Sequence, residues 1–136
     1  SEMCIRDRLY IPASWVFIST GHFSNCSELT YIEVEEGRTS IPQGFISWTI
    51  KAETIIFPST ITEIGDSFLH GNGWYPTFIC KAIIPPVITG TGYIGYGPFS
   101  EMYVPDESVE AYKAAPSWSN HASQIKPMSM LANSNM

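Results

Sequence analysis

The sequence predicts a repeat solenoid, mainly β, with short strands, turns and a period of about 23 residues, ending in a C-terminal capping helix. Three observations predict it. Hydrophobic positions recur when the chain is shifted by 23 residues. Glycine and proline, ten of each in 136 residues, favour many turns over long helices. The last third breaks the recurrence with a helix-like run after a strand.

The repeat is carried by four columns at one shift. Ile18, Ile41 and Ile64 fall in register, as do Phe45 and Phe68. Ile32, Ile55 and Phe78 form the third column, and Val34, Phe57 and Cys80 the fourth. YIEV (31–34), TIIF (54–57) and TFIC (77–80) alternate and are rich in β-branched and aromatic residues. They read as strands with residues 32 and 34, 55 and 57, 78 and 80 facing inward. A second short strand carries Ile41 or Ile64. Phe45 or Phe68 follows four residues later, where a helical turn drops the ring into the interior. Pro58 sits just past its strand, where a missing N–H does little harm. One such unit cannot bury its own apolar face, but stacked units can. Each fully buried Phe or Ile then stabilises by about 1.5–3 kcal/mol.

The chain is divided accordingly. Residues 1–14 open with SEMCIRDR, which fits no unit, and are expected to stand outside the fold as a non-native segment. Residues 15–100 hold three to four units, with a loop insertion at 88–98. Residues 101–127 form the cap, because MYVP (102–105) copies IIFP (55–58) and DESVEAYKAA then departs from it. Asp106 is expected as the N-cap, with Glu107 and Glu110 early and Lys113 late, as the helix dipole favours. Val109 and Tyr112 share a face, and Pro116 ends the helix. Residues 128–136 are polar and expected to fray.

Composition narrows the function. The net charge is −6 and there is no basic cluster, so nucleic-acid binding is set aside. The apolar runs are too short to span a bilayer, and no charged-then-apolar leader opens the chain. Cys4, Cys26 and Cys80 are widely spaced and odd in number, which is no disulfide framework. Cys26 and Cys80 read as small buried hydrophobes.

Several motifs imitate chemistry. Gly65-Asp66-Ser67 matches the nucleophile block of a serine esterase family, which makes Ser67 a candidate nucleophile. Such a serine needs a base. None of His22, His70 and His121 follows an aspartate at the required spacing, and the equivalent of this block one repeat earlier is Pro42-Gln43-Gly44. The expectation is therefore no enzyme. Gly90, Gly92 and Gly95 match a dinucleotide fingerprint, but Gly97-Pro98 blocks the helix it needs. The histidines lack ligand spacing, so no metal or cofactor is expected. Glu33, Glu35 and Glu36 read as a solvated strand face. Asn25-Cys26-Ser27 spells a glycosylation sequon with an inward cysteine at its centre.

Ile18, Phe23, Cys26, Leu29, Ile32 and Val34, followed by IPQGF and IGDSF, resemble BspA-like leucine-rich repeats, known from surface proteins of Bacteroides-type bacteria and some protozoa. MYVPDESVEAYKAAPSWSNHASQIKPM is similar to the terminal cap of many such proteins. The likeness spans residues 15–128, and WTIKAE (48–53) and GNGWYPT (71–77) depart from the pattern. The resemblance implies a secreted or cell-surface protein, the C-terminal portion of a longer chain. It implies adhesion to a host or matrix protein or a glycan, with no catalytic residues. A spacer without a ligand of its own is the alternative. Trp48, Trp74, Tyr75, Tyr93 and Tyr96 fall where the consensus breaks, and are candidate contact residues. The same five rings could instead plug the core where leucines are missing.

Overall fold

The structure, a computed structural model, describes residues 8–15, 30–43, 53–65, 77–90 and 101–134. Nine strands run through them: β1 (Arg8–Ile11), β2 (Tyr31–Val34), β3 (Ser40–Ile41), β4 (Thr54–Phe57), β5 (Glu63–Gly65), β6 (Thr77–Cys80), β7 (Val87–Thr89), β8 (Glu101–Val104) and β9 (Ile125–Pro127). Two helices, α1 (Val109–Ala114) and α2 (Met128–Ser134), lie near the end. The strands form two sheets, ordered β1-β2-β4-β6-β8-β9 and β3-β5-β7. Every pairing is parallel.

The register turns the sequence period into geometry. Leu9 pairs with Ile32, Ile32 with Ile55, Ile55 with Phe78, Phe78 with Met102 and Met102 with Ile125. Alternation points these residues and the column two positions on toward one core. Ile32, Ile55, Phe57, Phe78, Cys80 and Met102 have no exposed surface. Ile41 and Ile64 of the smaller sheet close the core from the other side. Phe57 and Phe78 meet edge to face at 5.0 Å, and Phe78 stacks on Trp118 at 6.0 Å. Such contacts add about 0.5–1.5 kcal/mol beyond the area they bury.

Successive units are also tied by polar groups. Glu36 accepts from both the backbone N–H and the hydroxyl of Ser59. The Thr62 hydroxyl donates to the Thr39 carbonyl at 3.1 Å, and that of Thr60 to the Arg38 carbonyl at 2.7 Å. Glu35 accepts from the Ala13 N–H at 2.9 Å. Glu35 and Glu36 are exposed, as a solvated face requires, but they are not on the strand. Glu35 and Glu36 lie past β2, in the turn, where their carboxylates satisfy backbone donors of neighbouring units. These bonds also hold the Glu36 carboxyl below its ordinary range. Gly65 is required by close approach. A Cβ there would stand 2.2 Å from the Gln43 nitrogen and 2.6 Å from the Gln43 Cα.

Three further expectations are corrected. Residues 8–11 belong to the ladder, since β1 pairs with β2 along its whole length at the 23-residue offset. Residues 8–11 are therefore not foreign to the fold. The insertion is not at 88–98. Five residues separate Phe57 from Glu63, but six separate their partners Cys80 and Val87. The stretch between Thr89 and Glu101 is as long as that between Gly65 and Thr77. The extra residue thus lies in the corner 81–86, and Ile88 sits in strand β7. Residues 128–134 form helix α2 instead of fraying. Asp106 accepts from the Ser129 N–H at 3.0 Å, so it caps α2 and makes no cap bond to the turn it opens.

The long corner is gripped by the C-terminal elements. Ser108 donates to the Ile83 carbonyl at 2.6 Å, Tyr112 to that of Ala82 at 2.7 Å, and the Trp118 indole N–H to that of Pro86 at 2.9 Å. Tyr112 and Trp118 have no exposed surface and meet edge to face at 5.0 Å. Their rings pack against Phe78 and Cys80 while their polar atoms satisfy carbonyls the corner leaves over.

Candidate binding surface

Alternation that sends residues 32 and 34 inward sends residues 31 and 33 outward. Two outward rows therefore cross the larger sheet. One runs Arg8, Tyr31, Thr54, Thr77 and Glu101. The other runs Tyr10, Glu33, Ile56, Ile79, Tyr103 and Lys126. Neighbouring strands place members of a row about 4.8 Å apart.

The rows are organised at both ends. Near β1, the Arg8 guanidinium lies 4.6 Å over the Tyr31 ring, and Tyr10 packs at 5.8 Å from Tyr31. The Tyr31 hydroxyl donates to Glu33 at 2.6 Å. Near β9, the Tyr103 hydroxyl donates to Glu101, which pairs with Lys126 at 3.5 Å. YIEV and EMYV thus carry the same phenol–carboxylate pair in opposite order. Burial, aided by Glu33, pushes the Tyr31 phenol up to about 12. The bond to Glu101 does the same for Tyr103, also to about 12. Both rings stay neutral hydrogen-bond donors at any physiological pH. Between the pairs lie Thr54, Ile56 and Thr77, an uncharged and partly exposed strip, whereas Ile79 and Tyr103 of the same rows are buried. Tyr10, at 60% exposure, is the most open ring on this face.

The arrangement offers the Tyr10 and Tyr31 rings, a short uncharged strip beside them and terminal charges. Those are means of contact. The buried Cys80 thiol is pushed up to about 11 by burial and stays protonated. His121 has its Nδ1 at 3.2 Å from the Gln124 side-chain oxygen. Among the described residues no group of His, Cys, Asp and Glu could hold a metal ion. Among them, too, no helix is long and apolar enough to cross a membrane.

Trp48, Trp74, Tyr75, Tyr93 and Tyr96 all lie outside the described residues, as do Ser67, His22 and His70. The same holds for Cys4, Cys26, Phe45 and Phe68. Of the glycine motif, only Gly90 is described, with φ 79°, in the turn after β7. Sequence reasoning missed Tyr10, Tyr31, Glu33, Glu101 and Tyr103. The signal was available, because they occupy the alternate positions of strands whose inward positions defined the repeat.

Parallel strands recurring at one offset, each unit completing the next, define a repeat protein of the β class. The family model described as a BspA type leucine rich repeat region matches in six copies across residues 2–74, more than half the chain. The chain belongs to this BspA-type leucine-rich repeat family. The match starts ahead of β1, in agreement with that strand's place in the ladder. No curated protein matches the chain.

Proposed function

We propose that this chain is a non-enzymatic adhesion module of a secreted or cell-surface protein. In this reading it is built as a solenoid with residues 101–127 as its terminal cap. Its larger sheet recognises a host or matrix protein or a glycan. The observation that carries the reading is the pair of outward rows, where Tyr10 and Tyr31 are held beside an uncharged strip. Membership in a repeat family supports the absence of chemistry, since the units supply repeated surface and no converging acid, base and nucleophile. Trp48, Trp74, Tyr75, Tyr93 and Tyr96 are proposed as further contacts.

The test is surface plasmon resonance against a panel of matrix proteins. Tyr10→Ala is expected to weaken the binding of any hit by roughly ten-fold or more, as truncating an aromatic anchor does. Alanine at the five further aromatics, one at a time, tests each of them in the same way. Hits that ignore every one of these changes refute the assignment of the surface. A spacer role is favoured by one observation, the hydrogen-bonded seal that Ser108, Tyr112 and Trp118 make on the last corner. A panel without hits would support it. Labelling of Ser67 by a fluorophosphonate would overturn the non-enzymatic reading.

A further inference from the structure

The smaller sheet has an outward face too, and it is not flat. A cleft of about 510 Å³ opens over β3, β5 and β7, lined by Trp15, Arg38, Ser40, Gln43, Glu63 and Thr89 among others. Its volume lies within the range of about 300–1,000 Å³ usual for small-ligand sites. We propose that this cleft is a saccharide subsite, taking one or two units of a neutral glycan. The proposal rests on the binding-module reading and gives it a ligand class.

The walls are fixed by the repeat. Pairing sets Ser40 beside Glu63 and Gly65 beside Thr89. Because Gly65 lacks a Cβ, the Gln43 backbone passes against it, which brings the Gln43 amide to the rim. Trp15 packs against the core and also lines the cleft. Its carbonyl accepts from Arg38, whose Nε donates to the Ser40 carbonyl at 2.8 Å. Arg38 therefore locks the tryptophan's segment to β3 before any ligand arrives.

The chemistry selects the class. An indole presents a flat apolar face of the kind that sugar C–H groups pack on. Gln43 offers both donor and acceptor, Ser40 and Thr89 carry hydroxyls, and Glu63 accepts twice, which suits vicinal diols. The Glu63 side chain is exposed and lines the cleft. An anion is disfavoured, because the Glu63 carboxylate in the lining opposes the Arg38 charge, and Arg38 is turned toward the Ser40, Trp15 and Ala13 carbonyls. A hard cation is disfavoured as well, since one carboxylate is too few for calcium.

The experiment uses the full chain on a microarray of neutral and anionic host-type glycans, followed by calorimetry with the strongest neutral hit. Dissociation constants in roughly the millimolar range are expected for a single small site. Glu63→Ala and Gln43→Ala, both at exposed positions, are each expected to weaken binding by about ten-fold with an unchanged thermal midpoint. Trp15→Phe retains a ring and is expected to weaken it less. No neutral glycan bound, binding of sulfated or sialylated glycans alone, or binding indifferent to Glu63 and Gln43 would each overturn the proposal. Matrix-protein binding lost in Tyr10→Ala but kept in Glu63→Ala would leave the module reading standing without the cleft. Loss of both kinds of binding in the wild-type chain removes both.

Discussion

Replacing Tyr112 by Phe isolates one polar contact in the seal over the last unit. The ring stays, so its edge contact with Trp118 at 5.0 Å is kept. Only the hydroxyl is lost, with its 2.7 Å bond to the Ala82 carbonyl and its weaker 3.3 Å bond to the Cys80 Sγ. Ala82 is 2% exposed, so water has poor access to the carbonyl left behind. A bond of this kind contributes about 0.5–1.5 kcal/mol net, and an orphaned buried acceptor costs about 1–3 kcal/mol. The stranded acceptor dominates, and the middle of its range makes about 2 kcal/mol the expected loss. At 136 residues this corresponds to a fall in Tm of roughly 6–10 °C. Urea unfolding followed by circular dichroism measures it, with an unchanged m-value showing that the native surface is intact. A loss below about 0.3 kcal/mol, with m unchanged, would refute the view that the hydroxyl satisfies a carbonyl otherwise stranded.

Two further perturbations probe the ladder itself. Gly65→Ala sets a Cβ against the Gln43 backbone, which cannot rotate away, so β3 and β5 must separate; a loss of about 1–3 kcal/mol by urea unfolding is expected, and wild-type stability would show that the close approach is not real. On the alkaline side, the folded pKa values of Tyr31 and Tyr103 exceed the unfolded value of 10.0. Folding therefore favours the protonated phenols. Their contribution is intact below pH 10 and is lost as pH rises toward about 12. Absorbance at the phenolate band should show Tyr31 and Tyr103 titrating late, together with the buried Tyr112, each assigned by its own Tyr→Phe variant, with Glu101→Gln bringing Tyr103 down. Tyr31 and Tyr103 themselves ionising near pH 10 in the folded wild type would contradict the phenol–carboxylate pairs.

The period was legible because burial imposes it. Ile32, Ile55 and Phe78 must be apolar wherever parallel units share a core, and a fixed shift exposes that demand. The place of the extra residue was not legible in the same way. Glycines at 90, 92, 95 and 97 look like an insertion, yet composition reports turn chemistry and says nothing about length. The real extra residue hides in Ile83-Ile84-Pro85-Pro86, where apolar letters resemble a strand. RLYI at 8–11 was passed over because Arg8 and Tyr10, its outward residues, mask Leu9 and Ile11 at the right shift. The surface was least legible. Solvent-facing positions obey no packing rule, so Tyr31 and Glu33 stand out only once the register makes them neighbours of Tyr10 and Arg8. Likewise Trp15, Gln43 and Glu63 lie far apart in the chain, and the stacking of units joins them in one cleft.

The parallel ladder also has a mechanical side. Each added strand lengthens the sheet by about 4.8 Å, while the 23 residues behind it reach about 75–80 Å when drawn out. A unit that comes loose under tension therefore releases slack roughly fifteen-fold greater than its share of the folded length. β1 is an edge strand among the described residues and its Leu9 is only half-buried, whereas Phe78 and Cys80 pack against Trp118 and Tyr112. Within the described strands, peeling from the β1 side should proceed unit by unit, so that a sustained pull is spent in steps before it reaches the corner held by Tyr112 and Trp118.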